Sequence, residues 1–363
     1  MRARCAVEAS PSQLPTARRG LRTGWTTGTC AAAAAKAAAS GLLAGVAPDQ
    51  VEVGLPSGRR ASFPVEAEAP WRCVVVKDAG DDPDCTHGAR ITATVAPARG
   101  ETVLRAGEGV GVVTLPGLGL PVGAPAINPV PRRMIMAALA EVTDDPLEVT
   151  FSVPGGEAMA AQTTNARLGI VGGISLLGTT GVVRPFSTAA YRASVVQQVD
   201  VAAAQGHDRL VLATGHRSEA AARRLCPDLD EVCFVEVGDF TGIALRRAAA
   251  RGISSVLFVG MAGKITKLAS GVMMTHVHRS EVDGAFLASL AAAVDAPRAV
   301  CAAATETATA RHFFEVCLAN DCVEPLEELC RRARSACLAH VAHALSLEVA
   351  MVDFEGSGVV ARA

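Results

Sequence analysis

Carboxylates are concentrated in one short stretch, KDAGDDPDCTHGA, where Asp78, Asp81, Asp82, Asp84 and His87 follow an apolar run. Carboxylates and a histidine that lie close together can take up or deliver a proton during a reaction. Aspartate also stabilises turns, because its side chain accepts hydrogen bonds from nearby backbone. One turn rarely needs so many carboxylates, so a structural and a chemical role remain equally open. We take Asp78, Asp81 and His87 as the candidate catalytic residues.

Hydroxyl groups and glycines precede an alanine-rich run in LRTGWTTGTCAAAAAKAAAS. Thr26, Thr27 and Thr29 surround the expected start of a helix. The free N–H groups of a helix start and the positive end of its dipole attract anions. A helix cap needs only one of these threonines. The segment therefore predicts an anion-binding site for substrate, and Lys36, nearly two turns further along, is an additional candidate.

A second glycine-rich segment, GGISLLGTTG, ends an apolar run that predicts a strand over 167–174. Glycine at the carboxyl end of a strand lets backbone N–H groups approach a ligand. The spacing resembles a phosphate loop, but Thr179 replaces its lysine, which disfavours nucleotide hydrolysis. The candidate cofactor-binding residues are Gly172, Gly173, Gly178, Thr179, Thr180 and Gly181. Arg184 follows them and is a candidate substrate ligand.

Lysine is rare in this chain, where Lys36, Lys77, Lys264 and Lys267 are the only lysines among 34 lysines and arginines. A compact ammonium is not equivalent to a guanidinium, so a lysine here can mark a functional position, although chance is a fair alternative for four residues. The pattern places Lys264 and Lys267 on the first turn of a helix, where the dipole opposes them. This placement predicts an anionic substrate, and His276 is a further candidate ligand.

The elements that position these segments fall into regions of different pattern. Residues 1–20 are expected to form a disordered tail. Residues 21–160 contain short alternating runs separated by Gly and Pro, which predicts an α+β domain with a mostly antiparallel sheet. Residues 161–363 alternate strands with longer helices, which predicts a Rossmann-like α/β domain with a mostly parallel sheet and C-terminal helices. Such sheets bind ligands outside the carboxyl ends of their strands.

Composition narrows the function classes. The 363 residues carry a net charge of -2, so no nucleic-acid or membrane surface is expected. No uncharged apolar run reaches about 18 residues and no secretory signal is evident, which favours a cytoplasmic protein, with a mitochondrial transit peptide as a minor alternative. Eleven cysteines without a C-x-x-C pair indicate reduced core thiols. No metal site is expected, because the Asp-rich stretch lacks the calcium-loop spacing and no third ligand is evident for a zinc site with His276 and His278.

Five ordered segments carry a resemblance to the CbiD family, the cobalt-precorrin-5B C1-methyltransferases of anaerobic cobalamin biosynthesis. They span residues 21 to about 278 and read LRTGWTTGTCAAAAAKAA, VVKDAGDDPDCTHGA, GEGVGVVTLPGLGLPVGAPAINPVPRRMI, LGIVGGISLLGTTGVVRP and GKITKLASGVMMTH. Three positions depart from the family pattern. Trp25 stands where tyrosine is usual, Met261 where histidine is usual, and Met274 where asparagine is common.

The resemblance implies methyl transfer from S-adenosylmethionine to ring carbon C1 of cobalt-precorrin-5B, which gives cobalt-precorrin-6A. The methyl donor is implied by the family, because the sequence shows no standard methyltransferase glycine motif. The implied corrinoid substrate is a polyanion, which agrees with the local cations and the helix start. Two alternatives are a non-catalytic corrinoid-binding or carrier protein and a nicotinamide-dependent oxidoreductase. A homo-oligomer is also left open.

Overall fold

The computed structural model describes residues 20–276, 283–307 and 309–363. They form a mixed α/β structure with two compact units, of which one ends at Thr188 and the other begins at Ala189. The sequence placed this change after residue 160. The difference arises because residues 161–188 pair with strands of the first unit. Apart from Gly20, the predicted N-terminal tail lies outside the described residues.

The first unit contains a mostly antiparallel sheet packed on two helices. Its elements are β1 (Gly24–Trp25), α1 (Thr27–Ala44), β2 (Gln50–Gly54), β3 (Arg60–Pro64), β4 (Glu66–Ala69), β5 (Arg72–Val76), β6 (Arg90–Pro97), β7 (Val103–Ala106), β8 (Gly109–Val110), β9 (Val112–Val113), α2 (Pro129–Ala140), β10 (Leu147–Ser152), α3 (Gly156–Ala160), β11 (Ile170–Val171), β12 (Gly173–Ile174) and β13 (Val182–Val183). The sheet order is β4-β5-β6-β10-β7. Only the β10–β7 pair in this sheet is parallel.

The alanine-rich run forms α1, and this helix is buried on nearly all sides. Residues 31–35 and 37–39, all alanine, are 0% exposed. The helix packs against α2, β5 and β6, as expected for a helix that is apolar all round. Thr26 caps its start by accepting a hydrogen bond from Thr29 N, and Gly45 ends it with φ 75°.

The segment that was predicted as a strand over 167–174 folds differently. A single 3-10 turn, Ala166–Leu168, precedes the two-residue strands β11 and β12. β11 pairs with β9, β12 pairs with β8, and β13 pairs with β1. The prediction that this segment begins the parallel sheet is therefore wrong, because its partners lie in the first unit.

The second unit contains a five-stranded sheet in the order β15-β14-β16-β17-β18. Its elements are α4 (Ala189–Ala204), β14 (Arg209–Ala213), α5 (His216–Leu225), β15 (Phe234–Glu236), α6 (Thr241–Ala250), β16 (Ser255–Gly260), α7 (Ala262–Ala269), α8 (Gly284–Ala293), α9 (Arg298–Glu306), α10 (Ala310–Ala319), α11 (Glu324–His340), β17 (Ser346–Val352) and β18 (Val359–Arg362). The first four strands in this order are parallel, and β18 is antiparallel to β17.

Alternate residues of this sheet enter two separate hydrophobic clusters. Leu210 and Leu212 belong to the larger cluster, which includes residues of α4, α6, α7, α8, α10 and α11. Val211 belongs to a smaller cluster with residues of α5. Because successive side chains of a strand point to opposite faces, both faces of the sheet are covered. This explains why its strands read as continuous apolar runs.

Candidate functional site

The Asp-rich loop is tied to Arg22 and to its own backbone. The Arg22 guanidinium donates two hydrogen bonds to the Asp78 carboxylate. Arg22 N donates to Asp81 Oδ2 at 2.6 Å, and His87 Nδ1 accepts from Ala79 N at 3.1 Å. The hydrogen bonds from Arg22 lower the pKa of Asp78, so this carboxylate stays ionised and is a weak proton carrier. The three candidate catalytic residues are therefore close together, and each also holds the loop in shape.

A buried ion pair lies at the centre of this loop. Lys77 is 1% exposed, and its Nζ lies 2.6 Å from Asp84 Oδ2. The Thr86 hydroxyl donates to Asp84 Oδ1 at 2.6 Å. Burial opposes ionisation of Asp84, but Lys77 and Thr86 lower its pKa overall. Sequence reasoning noted Lys77 for its rarity but assigned it no role, because its burial could not be read from the pattern.

Asp82 is the carboxylate of this loop that is best suited to hold a proton. Burial raises its pKa, and the nearby charge of Asp84 adds to this effect. Its Oδ1 accepts a hydrogen bond from Phe186 N at 2.7 Å, which opposes the shift. Phe186 has φ 56°, a backbone conformation that non-glycine residues seldom adopt. Sequence reasoning listed Asp82 in the loop but chose its neighbours as candidates.

The structure brings the threonine-rich helix start and the glycine loop (residues 172–181) together. Thr27 Oγ1 accepts from Leu177 N at 2.9 Å, and Thr29 Oγ1 donates to Gly181 O at 2.7 Å. Thr27 and Thr29 are 3% and 0% exposed. These hydroxyls are therefore engaged in closing the glycine loop onto α1. This corrects the expectation that they lie open at the helix start, while a role toward substrate stays a prediction.

Close packing explains two glycines of this loop. A Cβ at Gly173 would lie 2.1 Å from backbone atoms of Gly109, and a Cβ at Gly178 would lie 2.5 Å from the Thr26 side chain. Neither approach leaves space for a side chain, so the chain itself requires glycine at both positions. The glycine loop does not follow a strand of the parallel sheet, and packing alone explains these two glycines. Cofactor binding by this loop stays a prediction.

The remaining candidates of this segment face solvent or form turns. Gly172 and Gly181 have φ 86° and 81°, which favours glycine. Thr179 is exposed, and the Thr180 hydroxyl donates to a backbone carbonyl two residues later. Arg184 is exposed as well. Of these residues, Arg184 is the one that carries a charge toward solvent.

Lys36 does not extend the helix-start site. Its ammonium donates to Glu141 and to Glu52 O, the latter at 2.9 Å. Arg60 donates to the same Glu141 carboxylate at 2.8 Å. Arg60 and Lys36 together lower the pKa of Glu141 to about 2. Lys36 therefore joins α1 to α2 and to the hairpin of β2 and β3, and its contact with substrate stays a prediction.

Exposed cations lie at the start of α2, which adjoins the start of α1. A Cβ at Gly28 would lie 2.5 Å from Pro131 Cγ, so the two helix starts are in close contact. Arg132 and Arg133 follow Pro131 and are exposed. Sequence reasoning did not select these arginines, although PVPRRMI falls within a segment that resembles the family. With Arg184 they form what we call the arginine group.

In the second unit, Lys264 links the ends of two neighbouring strands. Its Nζ donates to Thr214 O at 3.1 Å and to Gly238 O at 2.9 Å, and it lies 3.4 Å from Asp239 Oδ1. The side chain is 23% exposed. Burial lowers the pKa of Lys264, although Asp239 opposes the shift. Lys264 is therefore mostly buried, with its ammonium bound to the chain itself, and its contact with an anionic substrate stays a prediction.

Lys267 lies in the last turn of α7 and not in its first, because the helix ends at Ala269. Its Nζ donates to Thr275 O and His276 O, both at 3.2 Å. His276 is 8% exposed. The unfavourable dipole that was predicted for both lysines thus applies to Lys264 alone. The Lys267 ammonium therefore binds the backbone of the segment that follows α7.

Within residues 20–276, 283–307 and 309–363, no group of three or more His, Cys, Asp or Glu residues could hold a metal ion. No helix there combines the length and hydropathy needed to cross a bilayer.

Comparison with known proteins gives consistent matches. The family model named CbiD matches residues 14–185, and the model named CbiD, C-terminal domain matches residues 274–363. A cobalt-precorrin-5B C(1)-methyltransferase from Salinispora tropica is 56% identical, with 94% of this chain and 92% of the relative covered. The protein of the same name from Rubrobacter xylanophilus is also 56% identical, with 95% and 92% covered.

A relative from Thermus thermophilus with this name is 50% identical, and 95% of each chain is covered. A crystal structure of a cobalamin biosynthesis protein (CbiD) from Archaeoglobus fulgidus is 29% identical. The match covers 71% of this chain and 83% of the Archaeoglobus fulgidus chain, with a TM-score of 0.42. The family models and the relatives agree over both units, and the chain belongs to the CbiD family.

Proposed function

We propose that this protein is a C-methyltransferase that methylates carbon C1 of cobalt-precorrin-5B in cobalamin biosynthesis, giving cobalt-precorrin-6A. The observation that carries the proposal is 56% identity, over 94% of the chain, to a relative named for this reaction. The Asp-rich and glycine-rich segments fall within residues 14–185, which the CbiD family model matches.

The methyl donor in this proposal is S-adenosylmethionine, whose sulfonium group supplies an activated methyl. The second unit contains features that fit such a group. A Cβ at Gly215 or Gly263 would meet no heavy atom within 4 Å, and Thr241 Oγ1 is buried without a hydrogen-bond partner among the described residues. Four parallel strands with helices between them support a Rossmann-like assignment for this unit.

The chain's contribution to such a reaction is mainly orientation. Methyl transfer requires the donor, the methyl and the acceptor carbon to be in line, and correct placement alone can lower a barrier by several kcal/mol, up to about 10. The transfer needs no covalent nucleophile from the protein. We therefore assign the loops of the chain to binding and to the exclusion of water.

The arginine group is our proposed contact surface for the polyanionic corrinoid. Arg132, Arg133 and Arg184 are exposed, and two helix starts meet beside the first two. Exposed arginines bind carboxylates through paired hydrogen bonds. Thr26, Thr27 and Thr29 then act by fixing the glycine loop beside this surface, and not through free hydroxyls.

The Asp-rich loop is our proposed proton-handling group. Asp82 has a raised pKa, whereas that of Asp78 is lowered. Groups with such different pKa values are suited to different protonation states at one pH. Asp81 and His87 stay candidates in this loop, and each is in hydrogen-bond contact with its backbone surroundings.

The test is incubation of the purified protein with cobalt-precorrin-5B and S-adenosylmethionine, followed by mass spectrometry. We expect the corrinoid to gain one methyl and S-adenosylhomocysteine to appear in equal amount. Corrinoid binding without either product would favour the carrier alternative. In a parallel incubation that also contains a nicotinamide cofactor, consumption of that cofactor without methylation would favour the oxidoreductase alternative.

A further inference from the structure

We propose that the methyl donor binds at the carboxyl edge of the parallel sheet in the second unit, against the backbone at Gly215 and Gly263. This inference rests on the proposed function for the identity of the ligand. It differs from the sequence prediction, which placed the cofactor at residues 172–181.

The strand order identifies this edge. Along the chain, β14 is followed by β15 on one side, and β16 then pairs with β14 on its other side. The connection that leaves β14 therefore runs toward one edge of the sheet, and the connection that leads into β16 runs back toward the other edge. Such a reversal opens a crevice outside the carboxyl ends of the two central strands, where sheets of this kind bind ligands. Gly215 follows β14, and Gly263 follows β16.

The chain itself does not require glycine at these two positions. A Cβ at either position would meet open space. Gly215 has an extended backbone with φ 161°, and Gly263 lies inside α7. Glycine inside a helix is less favourable than alanine, because glycine loses more conformational freedom on folding. A ligand that lies against the backbone would account for both residues.

Gly238, at the end of the adjacent β15, shows the contrast. It has φ 52°, and a Cβ there would lie 2.8 Å from the Tyr191 ring. The backbone conformation and the aromatic neighbour explain this glycine without a ligand. Gly260, the last residue of β16, is crowded as well, because a Cβ there would lie 2.9 Å from the Phe258 ring. Among the glycines at the ends of these three strands, the open positions are Gly215 and Gly263.

Lys264 fixes the relative position of two turns at this edge. By binding Thr214 O and Gly238 O, its ammonium holds the turns after β14 and β15 at a fixed separation. Carbonyl oxygens that point toward one another repel, and a buried cation removes that repulsion. The first N–H groups of α5 and α7 have no acceptor within their own helices. They can donate to a carboxylate, such as that of the methionyl part of the donor.

Two side chains near this edge fit an adenosyl group. Thr241, the first residue of α6, is 0% exposed, and its hydroxyl has no hydrogen-bond partner in the described part of the chain. Unmet hydrogen-bonding capacity of this kind is uncommon in buried groups. Tyr191 lies beside Gly238 and is partly exposed. Its ring offers the flat, apolar surface that aromatic bases pack against.

The experiment is calorimetric titration of the full chain with S-adenosylhomocysteine, with and without cobyrinic acid as a corrinoid probe. We expect Gly215→Val and Gly263→Val each to raise the dissociation constant at least tenfold. The urea unfolding midpoint without ligand should stay at or above that of the wild type, because the added side chains meet open space. Gly54→Val is the matched control: a Cβ at Gly54 also meets no neighbour, but this residue lies in the first unit.

Wild-type affinity in both edge variants would overturn the proposed site and leave the proposed function intact. Weaker binding in Gly54→Val to the same extent would also overturn it, since the effect would not be specific to the edge. If the wild type fails to bind S-adenosylhomocysteine under both conditions, the donor in the proposed function is wrong as well.

Discussion

Two pairs of glycines, one in the glycine loop of the first unit and one at the sheet edge of the second, are present for different physical reasons. In the glycine loop of the first unit, Gly173 and Gly178 are crowded, and any side chain there would collide with the chain. At the sheet edge of the second unit, Gly215 and Gly263 face open space. Glycine enrichment in a sequence therefore marks either a crowded turn or an open surface. Only the atoms around each glycine decide between the two.

The largest expected effect tests the crowded side of this comparison. Gly173→Val places a Cβ 2.1 Å from the backbone of Gly109, and we expect it to lower the free energy of unfolding by about 3 kcal/mol or more. Urea denaturation measures this change. Val171→Ala, at a 59% exposed position two residues earlier, is the control and should have little effect. A wild-type midpoint for Gly173→Val would show that the loop can open.

A buried ion pair gives the next largest effect. Lys77→Met leaves Asp84 without its cation and should lower the free energy of unfolding by about 3 kcal/mol. The double variant with Asp84→Asn should lose less than the sum of the two single variants, because the residues are in contact. Strictly additive losses in urea denaturation would mean that the pair does not couple. The Asp-rich loop would then be held mainly by Arg22.

The parts of the structure that the sequence predicted are those with local signals. The alternation of strands with longer helices that the sequence predicts is present in the second unit, with strands at Arg209–Ala213 and Ser255–Gly260. The segment 167–174 was misread, because its strands are only two residues long and depend on partners near residue 110. Pairing over such a distance leaves no periodic pattern.

Side-chain direction limited the prediction of the candidate site. Lys264 was correctly expected near a helix start, but its ammonium turns back to bind Thr214 O and Gly238 O. A long, flexible side chain can reach solvent or the protein interior from one backbone position. The helical pattern therefore could not decide whether this charge was free, nor could it show that Gly263 faces open space.

A smaller effect of opposite sign tests the open side of the comparison. Gly263→Ala should raise the free energy of unfolding by about 0.5–1 kcal/mol in the absence of ligand, because alanine is the better helix former. Differential scanning calorimetry of the ligand-free protein would detect this gain as a higher Tm. A lower Tm would mean that Gly263 is as crowded as Gly173, and the contrast between the units would fail.

The smallest expected effect concerns Glu141 and the two cations that bind its carboxylate. Arg60 and Lys36 lower the pKa of Glu141 to about 2, from a model-peptide value of 4.5. The stabilisation is therefore present above about pH 4.5 and is lost as the pH falls toward 2. Glu141 is 35% exposed, so solvent screening limits the contribution to about 1 kcal/mol or less. Glu141→Gln should be less stable than the wild type at pH 7, and the difference in urea denaturation should shrink at pH 3.

The buried alanine helix has a consequence for hydrogen exchange. Its amide groups lie beneath α2 and the sheet, with alanines at 0% exposure over most of its length. Water can reach these N–H groups only when the surrounding elements separate, so their exchange with deuterium should follow the cooperative opening of the first unit. The helix that begins at Thr27 would then act as an internal reporter of that unit's stability, read separately from the second unit in the same sample.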